Sequence, residues 1–329
     1  MKHLLQLMAQ ALGLLGQHLV LVYPILFLML LLSVLMQPLG LPALEARWLL
    51  MGLLLFLLYA AFQAGWLHMV YRMVIQAELR RRRSVASIDV PDLDDLPSLL
   101  LPGGFRLFSD FFPGVAQFFV PMLLGALLHG LMILAVLLAI HLSVEQWVGY
   151  PPVLLQWVQM LQQVDAQVLE SQEHLNRLMS GFLSSLKALP DPQLDQLASF
   201  LSMVMAGLVF YGLLSWLTMF WPVFVMVRRL GVLAAYGRSV QQCLKDPLGV
   251  IGLGVAYLLT MVLLRQLTAV ASFNFILVMI LQMMGLLLGI YWVVVQFLYV
   301  VRKTGAPELE EPPAVLNAHT TSVDPKIDA

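Results

Sequence analysis

The sequence predicts an all-α protein: a polytopic membrane helix bundle with about six transmembrane helices, interfacial helices and a long amphipathic outer helix. The first reason is composition, since hydrophobic residues make up 60% of the 329 positions and charged residues only 11%. Soluble globular chains are nearer to half apolar and a quarter charged. The second reason is that the apolar residues form runs long enough to cross a bilayer core.

Charge and cysteine content exclude several kinds of site. The formal net charge is −1, so the chain as a whole is not attracted to polyanions and basic effects must be local. A single cysteine, Cys243, excludes an intramolecular disulfide and a multi-cysteine metal site. The apolar N-terminal stretch has no small-residue cleavage site after it, and we therefore expect no removable signal peptide.

The first element is expected at residues 1–18, as a helix at the membrane interface. Glutamines occupy its other faces, and its apolar side chains recur at a helical spacing. These apolar residues are Leu4, Leu5, Met8, Leu12 and Leu15. A continuous extension of the first span is the alternative interpretation.

Six segments have the length and hydrophobicity of spans, three in residues 19–142 and three in residues 198–303. Pro121 suits the first turn of the third span. Asp246 and Pro247 suit the N-cap and the first helical position of the fifth span. The six spans are about Leu19–Met36, Trp48–Val70, Met122–Leu142, Phe200–Val227, Leu248–Leu264 and Phe275–Val301.

The basic residues predict the orientation. With both termini cytoplasmic, the cytoplasmic segments hold 14 of the 18 lysines and arginines. The positive-inside rule therefore favours this orientation over its opposite. The exceptions are Arg47, Arg177, Lys187 and Arg265.

The cytoplasmic linker, residues 77–101, begins with the run Arg80, Arg81, Arg82 and Arg83. Arginines this close to a span are held at an anionic leaflet, and we expect them to contact lipid headgroups. Nucleic-acid binding is not expected, because a group of aspartates follows directly. These are Asp89, Asp92, Asp94 and Asp95.

An aromatic segment, residues 102–121, follows the linker and is too polar and too often interrupted by glycine and proline to cross the membrane. We expect an interfacial helix or re-entrant elbow with its phenylalanines at the acyl boundary. In this arrangement Arg106 and Asp110 face water, and we expect Arg106 to contact lipid headgroups, as Arg80–Arg83 do. A lipid or substrate groove in this segment is the alternative.

Residues 143–197 form an acidic insertion on the outer side, with a helix predicted over residues 153–189. Apolar residues alternate three and four apart along it and make a heptad seam. The seam comprises Leu154, Trp157, Leu161, Val164, Val168, Leu175, Leu178 and Phe182. The helix could pack within its own protomer, lie along the membrane, or pair as a coiled coil with a protein partner or a second copy.

The tail, residues 304–329, loses all apolar periodicity and is rich in proline and acids. This composition predicts a disordered cytoplasmic segment.

Polar residues at membrane depth are the first candidates for a functional site. Here they are His129, Gln63, Gln282 and Gln296, and no acid, lysine or arginine lies in the middle of a span. A proton-coupled carrier usually needs ionisable groups, so their absence is unfavourable to that class. The alternative for the glutamines, and for a neutral His129, is simple hydrogen bonding between helices.

Motifs for catalysis are missing from the sequence. There is no H-E-x-x-H or G-x-S-x-G, and the glycines that open the fifth span lack the Lys-Ser/Thr of a phosphate-binding loop. We therefore predict no enzymatic activity, no cofactor and no metal.

Two parts of the chain resemble a domain-of-unknown-function family of prokaryotic polytopic membrane proteins. In the first, about residues 45–130, Gly65 and Tyr71-Arg72 precede VPDLDDLPSLL and then GFRLFSDFFPGV. The family pattern is Gly-Tyr-x-x-Arg, Leu-Pro-x-x-Asp-Asp and an aromatic interfacial segment. Val90 and Trp66 depart from it.

The second part, about residues 205–300, matches at Phe220–Pro222, Ala234–Ser239 and Asp246-Pro247. The resemblance implies a multi-pass protein of the prokaryotic cytoplasmic (inner) membrane and carries no activity with it. From the packing signals and the long outer helix we expect a non-enzymatic scaffold, assembly factor or accessory subunit. A transporter of small solutes or lipids, with a site among spans three to six, is the alternative.

Overall fold

In the computed structural model, residues 2–35, 45–85, 109–163, 180–181, 184, 186, 189–271 and 274–305 are described. Every regular element in these ranges is helical, so the all-α prediction is confirmed. A short 3-10 turn, Leu19–Leu21, lies between the first two helices. The helices are α1 (Lys2–Gln17), α2 (Val22–Leu35), α3 (Glu45–Val85), α4 (Phe111–Trp147), α5 (Pro152–Gln163), α6 (Asp191–Thr218), α7 (Trp221–Arg228), α8 (Val232–Lys245), α9 (Pro247–Val270) and α10 (Phe275–Thr304).

Five stretches of helix among the described residues are long and apolar enough to cross a membrane. A sixth is obtained if Leu4–Gln17 and Leu19–Leu31, which meet at an angle of 80°, count as one broken span. The helices therefore have the character of a membrane protein, as predicted. The five are Met51–Arg82, Phe111–Trp147, Asp191–Arg228, Pro247–Val270 and Ile276–Thr304.

The N-terminal helix is separate from the first predicted span, because the chain bends at His18. The predicted apolar face of α1 is only partly right. Leu7, Ala11 and Leu15 form its buried stripe, while Leu5 and Leu12 are exposed. The buried stripe differs from the predicted apolar face because α1 packs mainly along α10 and also touches α9. Residues four apart on α1 share the face that makes these contacts.

The third span begins earlier than expected. We predicted that it starts after Pro121, with residues 102–121 forming a separate interfacial segment, but α4 begins at Phe111 and contains Pro121. Phe118 and Met122, on either side of the proline, are both buried, and this packing compensates for the hydrogen bond that proline cannot donate. Residues 102–108, with Arg106, lie outside the described residues.

The fourth span is divided. α6 ends at Thr218 and α7 begins at Trp221, where Pro222 occupies the first turn. α6 begins at Asp191, ahead of the predicted fourth span. The start of α9 agrees with the prediction, and Asp246 caps this helix by accepting from the Gly249 backbone N–H at 3.1 Å.

The outer insertion is described only in part. α5 covers Pro152–Gln163, while residues 164–179 and most of the predicted seam lie outside the described residues. Before α5 the chain turns at Gly149, which has a φ of 74°. The Gln196 side chain donates to the Val148 carbonyl at 3.0 Å beside this turn.

The chain divides into two compact units. Unit 1 comprises Met1–Ala126 and Leu217–Ala329, and unit 2 comprises Leu127–Trp216. The core of unit 1 lies along the C-terminal half of α10, where Ile290, Val294, Phe297 and Val301 are buried. Its neighbours there are α1, α3, α7 and α9.

We expect Gly125→Ala to destabilise the protein. A Cβ at this position would lie 2.2 Å from two ring carbons of Trp221, and that ring is fixed by stacking on Tyr236. The cost should be about 1–3 kcal/mol, as for other overpacked sites. Thermal unfolding in detergent measures it.

Gly130→Ala in the same helix is the matched control, because a Cβ there meets nothing within 4 Å. Alanine should leave the unfolding temperature unchanged or raise it slightly through its helix propensity. Equal effects of both substitutions would contradict the close packing at Gly125.

Candidate functional site

The four predicted intramembrane polar residues do not share one hydrogen-bonded cluster. Gln63 donates to the Tyr59 hydroxyl at 2.6 Å, one turn earlier in α3. Gln282 is exposed on α10 and Gln296 is half-buried about 21 Å further along the same helix. No side-chain hydrogen bond joins these three glutamines in the part of the chain that the structure describes.

His129 belongs to unit 2, where its Nε2 lies 3.3 Å from the Tyr211 hydroxyl. Its Nδ1 is buried and has no hydrogen-bond partner among the described residues. An unpaired buried nitrogen is costly and is a feature of functional sites, so His129 is the strongest of the four candidates.

Unit 2 also has a groove of about 450 Å³ with an almost entirely apolar lining. Small residues from α4 and α6 alternate with larger ones along it. Its lining includes Met132, Ala135, Ala139, Ala206, Gly207 and Phe210. Such a surface can hold an apolar chain or a helix and offers little to a polar solute.

The strongest polar interactions lie at one end of unit 1, where α3 and α10 both end. We call this region the charged end. Glu78 is only 4% exposed, and its Oε1 accepts from Nε of Arg302 at 2.6 Å and from Nη2 at 2.5 Å. Arg302 also contacts the Gln10 side chain, which ties α1 to the same pair.

The arginine run is partly engaged in this cluster. Nε of Arg81 lies 3.3 Å from Oε2 of Glu78. Arg80 and Arg82 are exposed on the last turns of α3, and the side chain of Arg83 lies outside the described residues. Arg81 therefore has a structural partner, while headgroup contact by the run stays a prediction.

A second network begins at Asp246, one residue before α9. Its Oδ2 accepts from Lys303 at 2.8 Å and from the Tyr299 hydroxyl at 2.9 Å, and Gln242 donates to that hydroxyl at 3.3 Å. The hydrogen bond from Lys303, with those from Tyr299 and the Gly249 N–H, holds the pKa of Asp246 below its usual value although burial opposes the shift. The carboxylate is thus a fixed anion between α8, α9 and α10.

The α7–α8 junction is held by buried polar groups. Ser239 donates to the Leu217 carbonyl at 2.8 Å and accepts from the Phe220 N–H at 3.1 Å. Tyr236 donates to the Gly125 carbonyl at 3.1 Å, and burial raises its pKa to about 12, so it remains a neutral donor. The two Ser239 bonds satisfy one carbonyl and one N–H at the break between α6 and α7, and the Tyr236 bond ties α8 to α4.

A polar cavity of about 480 Å³, which we call the basic pocket, opens between α7, α8 and the end of α10. Four cationic residues contribute to its wall, and amides, one hydroxyl and two apolar side chains complete it. The wall comprises Phe224, Arg228, Leu230, Arg238, Gln241, Gln242, Lys245, Lys303 and Thr304. Its chemistry suits an anion.

The sequence prediction did not identify Glu78, the network around Asp246 or the basic pocket. Glu78 lies in the predicted cytoplasmic linker, where the sequence gives it no role, and Asp246 is predicted only as a helix cap. One feature of the sequence indicates the basic pocket: Arg238 and Lys245 are seven residues apart and therefore share a face of an amphipathic helix.

We expect Glu78→Gln to lower the stability by about 3 kcal/mol, because it leaves the Arg302 guanidinium without its charged partner in a buried place. Arg72→Gln should cost less than about 1 kcal/mol, since Arg72 is half-exposed and lies 3.7 Å from Asp110. Thermal unfolding of both variants in the same detergent gives the comparison. Equal losses of stability in the two variants would show that the buried ion pair contributes no more than the exposed one.

We expect the Cys243 thiol to react slowly with N-ethylmaleimide. It is buried and burial raises its pKa to about 11, so little thiolate is present at neutral pH. Ala234 on the same helix is exposed, and the double variant Cys243→Ser/Ala234→Cys supplies an ordinary thiol for comparison. At pH 7 the native thiol should react at least about a hundredfold more slowly than this control.

The labelling rate of Cys243 should rise about tenfold per pH unit up to pH 10, because the thiolate fraction rises in proportion below its pKa. The exposed thiol should level off above its ordinary pKa of about 8.5. Rapid labelling of Cys243 at pH 7 in the folded protein would contradict the docking of α8.

In comparison with known proteins, no family model, no curated protein and no solved structure matches the chain. The resemblance drawn from the sequence motifs therefore stays a prediction.

Proposed function

We propose that the protein is a non-enzymatic scaffold, assembly factor or accessory subunit of the prokaryotic cytoplasmic membrane, with both termini cytoplasmic. The observation that carries the proposal is the apolar groove of unit 2. Its small residues Ala135, Ala139 and Ala206 let another helix approach closely, which lipid tails cannot exploit as well. The proposed occupant is a transmembrane helix of a partner protein.

The exposure of the spans supports the same function. Only 6% of the apolar window of Phe111–Trp147 and none of that of Asp191–Arg228 is buried within the chain. Two long helices thus leave much of their apolar surface for lipid or for partner helices. Gln282 adds an exposed amide on α10, a group that a partner helix would satisfy and lipid would not.

The placement of polar groups in unit 1 supports a scaffold rather than a carrier. The Trp66 indole donates to the Leu21 carbonyl at 3.0 Å, Gln63 binds Tyr59, and Tyr236 binds the Gly125 carbonyl. The Trp66 and Tyr236 bonds each hold two separate parts of the chain together, and the Gln63 bond stays within α3. A carrier would direct several such groups at one shared cavity.

A transporter of small solutes or lipids is the second candidate, and one observation favours it. The buried Nδ1 of His129 has no partner among the described residues, and the Tyr211 hydroxyl lies close to the other ring nitrogen. Together they could present one donor and one acceptor to a ligand between α4 and α6.

Photo-crosslinking in intact membranes tests the proposal. A photoreactive amino acid replaces Phe210, which lines the groove and is 56% exposed, and in a separate variant Leu131, which is 61% exposed on α4 and does not line it. We expect a discrete protein adduct from position 210 and none from position 131. Mass spectrometry of the adduct identifies the partner.

Native purification distinguishes the two candidates. Stoichiometric co-purification of the cross-linked partner supports the scaffold. Lipid adducts alone at both positions, together with a monomer that retains a polar ligand and loses it on His129→Phe substitution, would overturn the scaffold in favour of the transporter.

A further inference from the structure

The basic pocket has no role in the proposed scaffold and is assembled from three separate helices. Arg228 comes from the last turn of α7, Arg238 and Lys245 from α8, and Lys303 from the last turn of α10. Positions so distant in sequence come together only because the chain folds α8 against the ends of the two spans. The result is four cationic side chains around one cavity of about 480 Å³.

The positive charge of the pocket is only partly balanced. Lys303 is paired with Asp246 at 2.8 Å. Arg238 donates to the neutral amide of Gln241 at 2.7 Å, and neither Arg238 nor Lys245 forms an ion pair with an acid among the described residues. An excess of unpaired cations around a cavity favours the binding of an anion.

The pocket also has the donors that a phosphate needs. Arginine presents its N–H groups as a planar fork that matches two phosphate oxygens, and lysine adds a mobile point charge. The amides of Gln241 and Gln242 lie in the same wall. Phe224 and Leu230 give the cavity an apolar side, which suits a ligand that carries an apolar group next to its charged group.

The faces of α8 indicate where the pocket lies relative to a bilayer. Its buried face, with Ala235, Ser239 and Cys243, packs on the bundle. Leu233 and Leu244 project about 130° around the helix from this face. They are 76% and 71% exposed, and Leu248 at the start of α9 is 83% exposed. Apolar side chains exposed to this degree beside two spans are expected to enter the acyl boundary of a membrane.

The basic stripe of α8 lies beside this apolar stripe. Arg238 and Lys245 are about 100–140° around the helix from Leu233 and Leu244, at 100° per residue. A helix that places its leucines at the acyl boundary therefore holds its cations at the level of the headgroups, where long basic side chains extend to reach phosphates.

We propose that the basic pocket binds the phosphate of an anionic phospholipid, with the acyl chains alongside Leu233 and Leu244. The inference is independent of the scaffold proposal, since it concerns unit 1 and a lipid rather than unit 2 and a partner helix. It is also distinct from the general attraction of Arg80–Arg83 to the leaflet, because side chains from three helices converge on one cavity.

Native mass spectrometry of the full chain, released from nanodiscs that mix phosphatidylglycerol and phosphatidylcholine, tests the proposal. We expect one phosphatidylglycerol to be retained per protein. Arg238→Gln/Lys245→Gln should weaken its binding about thirtyfold, since each basic residue near a membrane surface contributes about a factor of five. These two residues are chosen because neither of them forms an ion pair in the described part of the protein.

Arg80→Gln/Arg82→Gln is the matched control, because it removes the same charge from exposed positions at the end of α3, outside the pocket. It should leave the retained lipid in place. Equal weakening in the two double variants would overturn the proposal, since it would show unspecific attraction rather than a site.

A charge-conserving variant guards against misfolding. Arg238→Lys/Lys245→Arg should retain the lipid within about threefold, while unfolding temperatures confirm that all variants are folded. Loss of the lipid in this variant at an unchanged unfolding temperature would overturn a site based on charge.

The source of the phosphate is tested separately. Inorganic phosphate at 10 mM, about the affinity range of simple ion pairing, should not displace the lipid. A different result would overturn the lipid proposal: inorganic phosphate displaces the lipid and binds the lipid-free protein with an affinity that depends on Arg238 and Lys245. The pocket would then be a site for a soluble phosphate.

Discussion

Two adjacent cations at the end of α10 hold the charged end of unit 1 together. Arg302 contacts Glu78 of α3 and Gln10 of α1, while Lys303 binds Asp246 between α8 and α9. Neighbouring side chains on a helix diverge by about 100°, so the pair reaches neighbours on two sides of α10. Because the rest of that end packs on the buried half of α10, these contacts fix α1, α3, α8 and α9 at once.

This arrangement explains how a chain with so few charged residues can build a polar pocket. Membrane spans associate by close packing and a few hydrogen bonds, and ionisable groups are tolerated mainly at their ends. Asp246 is occupied by Lys303 and Tyr299, and Glu78 is occupied by Arg302 and Arg81. In the described part of the chain these two acids are thereby committed to structure, and the cations of α8 remain for a ligand.

The two units divide the proposed roles. Unit 1 is held by ion pairs and by buried tyrosine and serine hydroxyls, and it carries the proposed lipid site. Unit 2 offers apolar surface, small residues at the groove and His129, whose Nδ1 is buried. A lipid on unit 1 would anchor the bundle in one leaflet, whereas a helix on the groove of unit 2 would recruit a partner, and the two events require no common residue.

The sequence by itself determined the fold class, five long apolar helices and the cap at Asp246, since all of these depend on local hydrophobicity and turn chemistry. Tertiary structure alone decided that Pro121 lies inside a helix, because burial of Phe118 and Met122 outweighs the lost hydrogen bond. It also decided which charges meet: Glu78 and Arg302 are 224 residues apart, and only the packing of α3 on α10 brings them together.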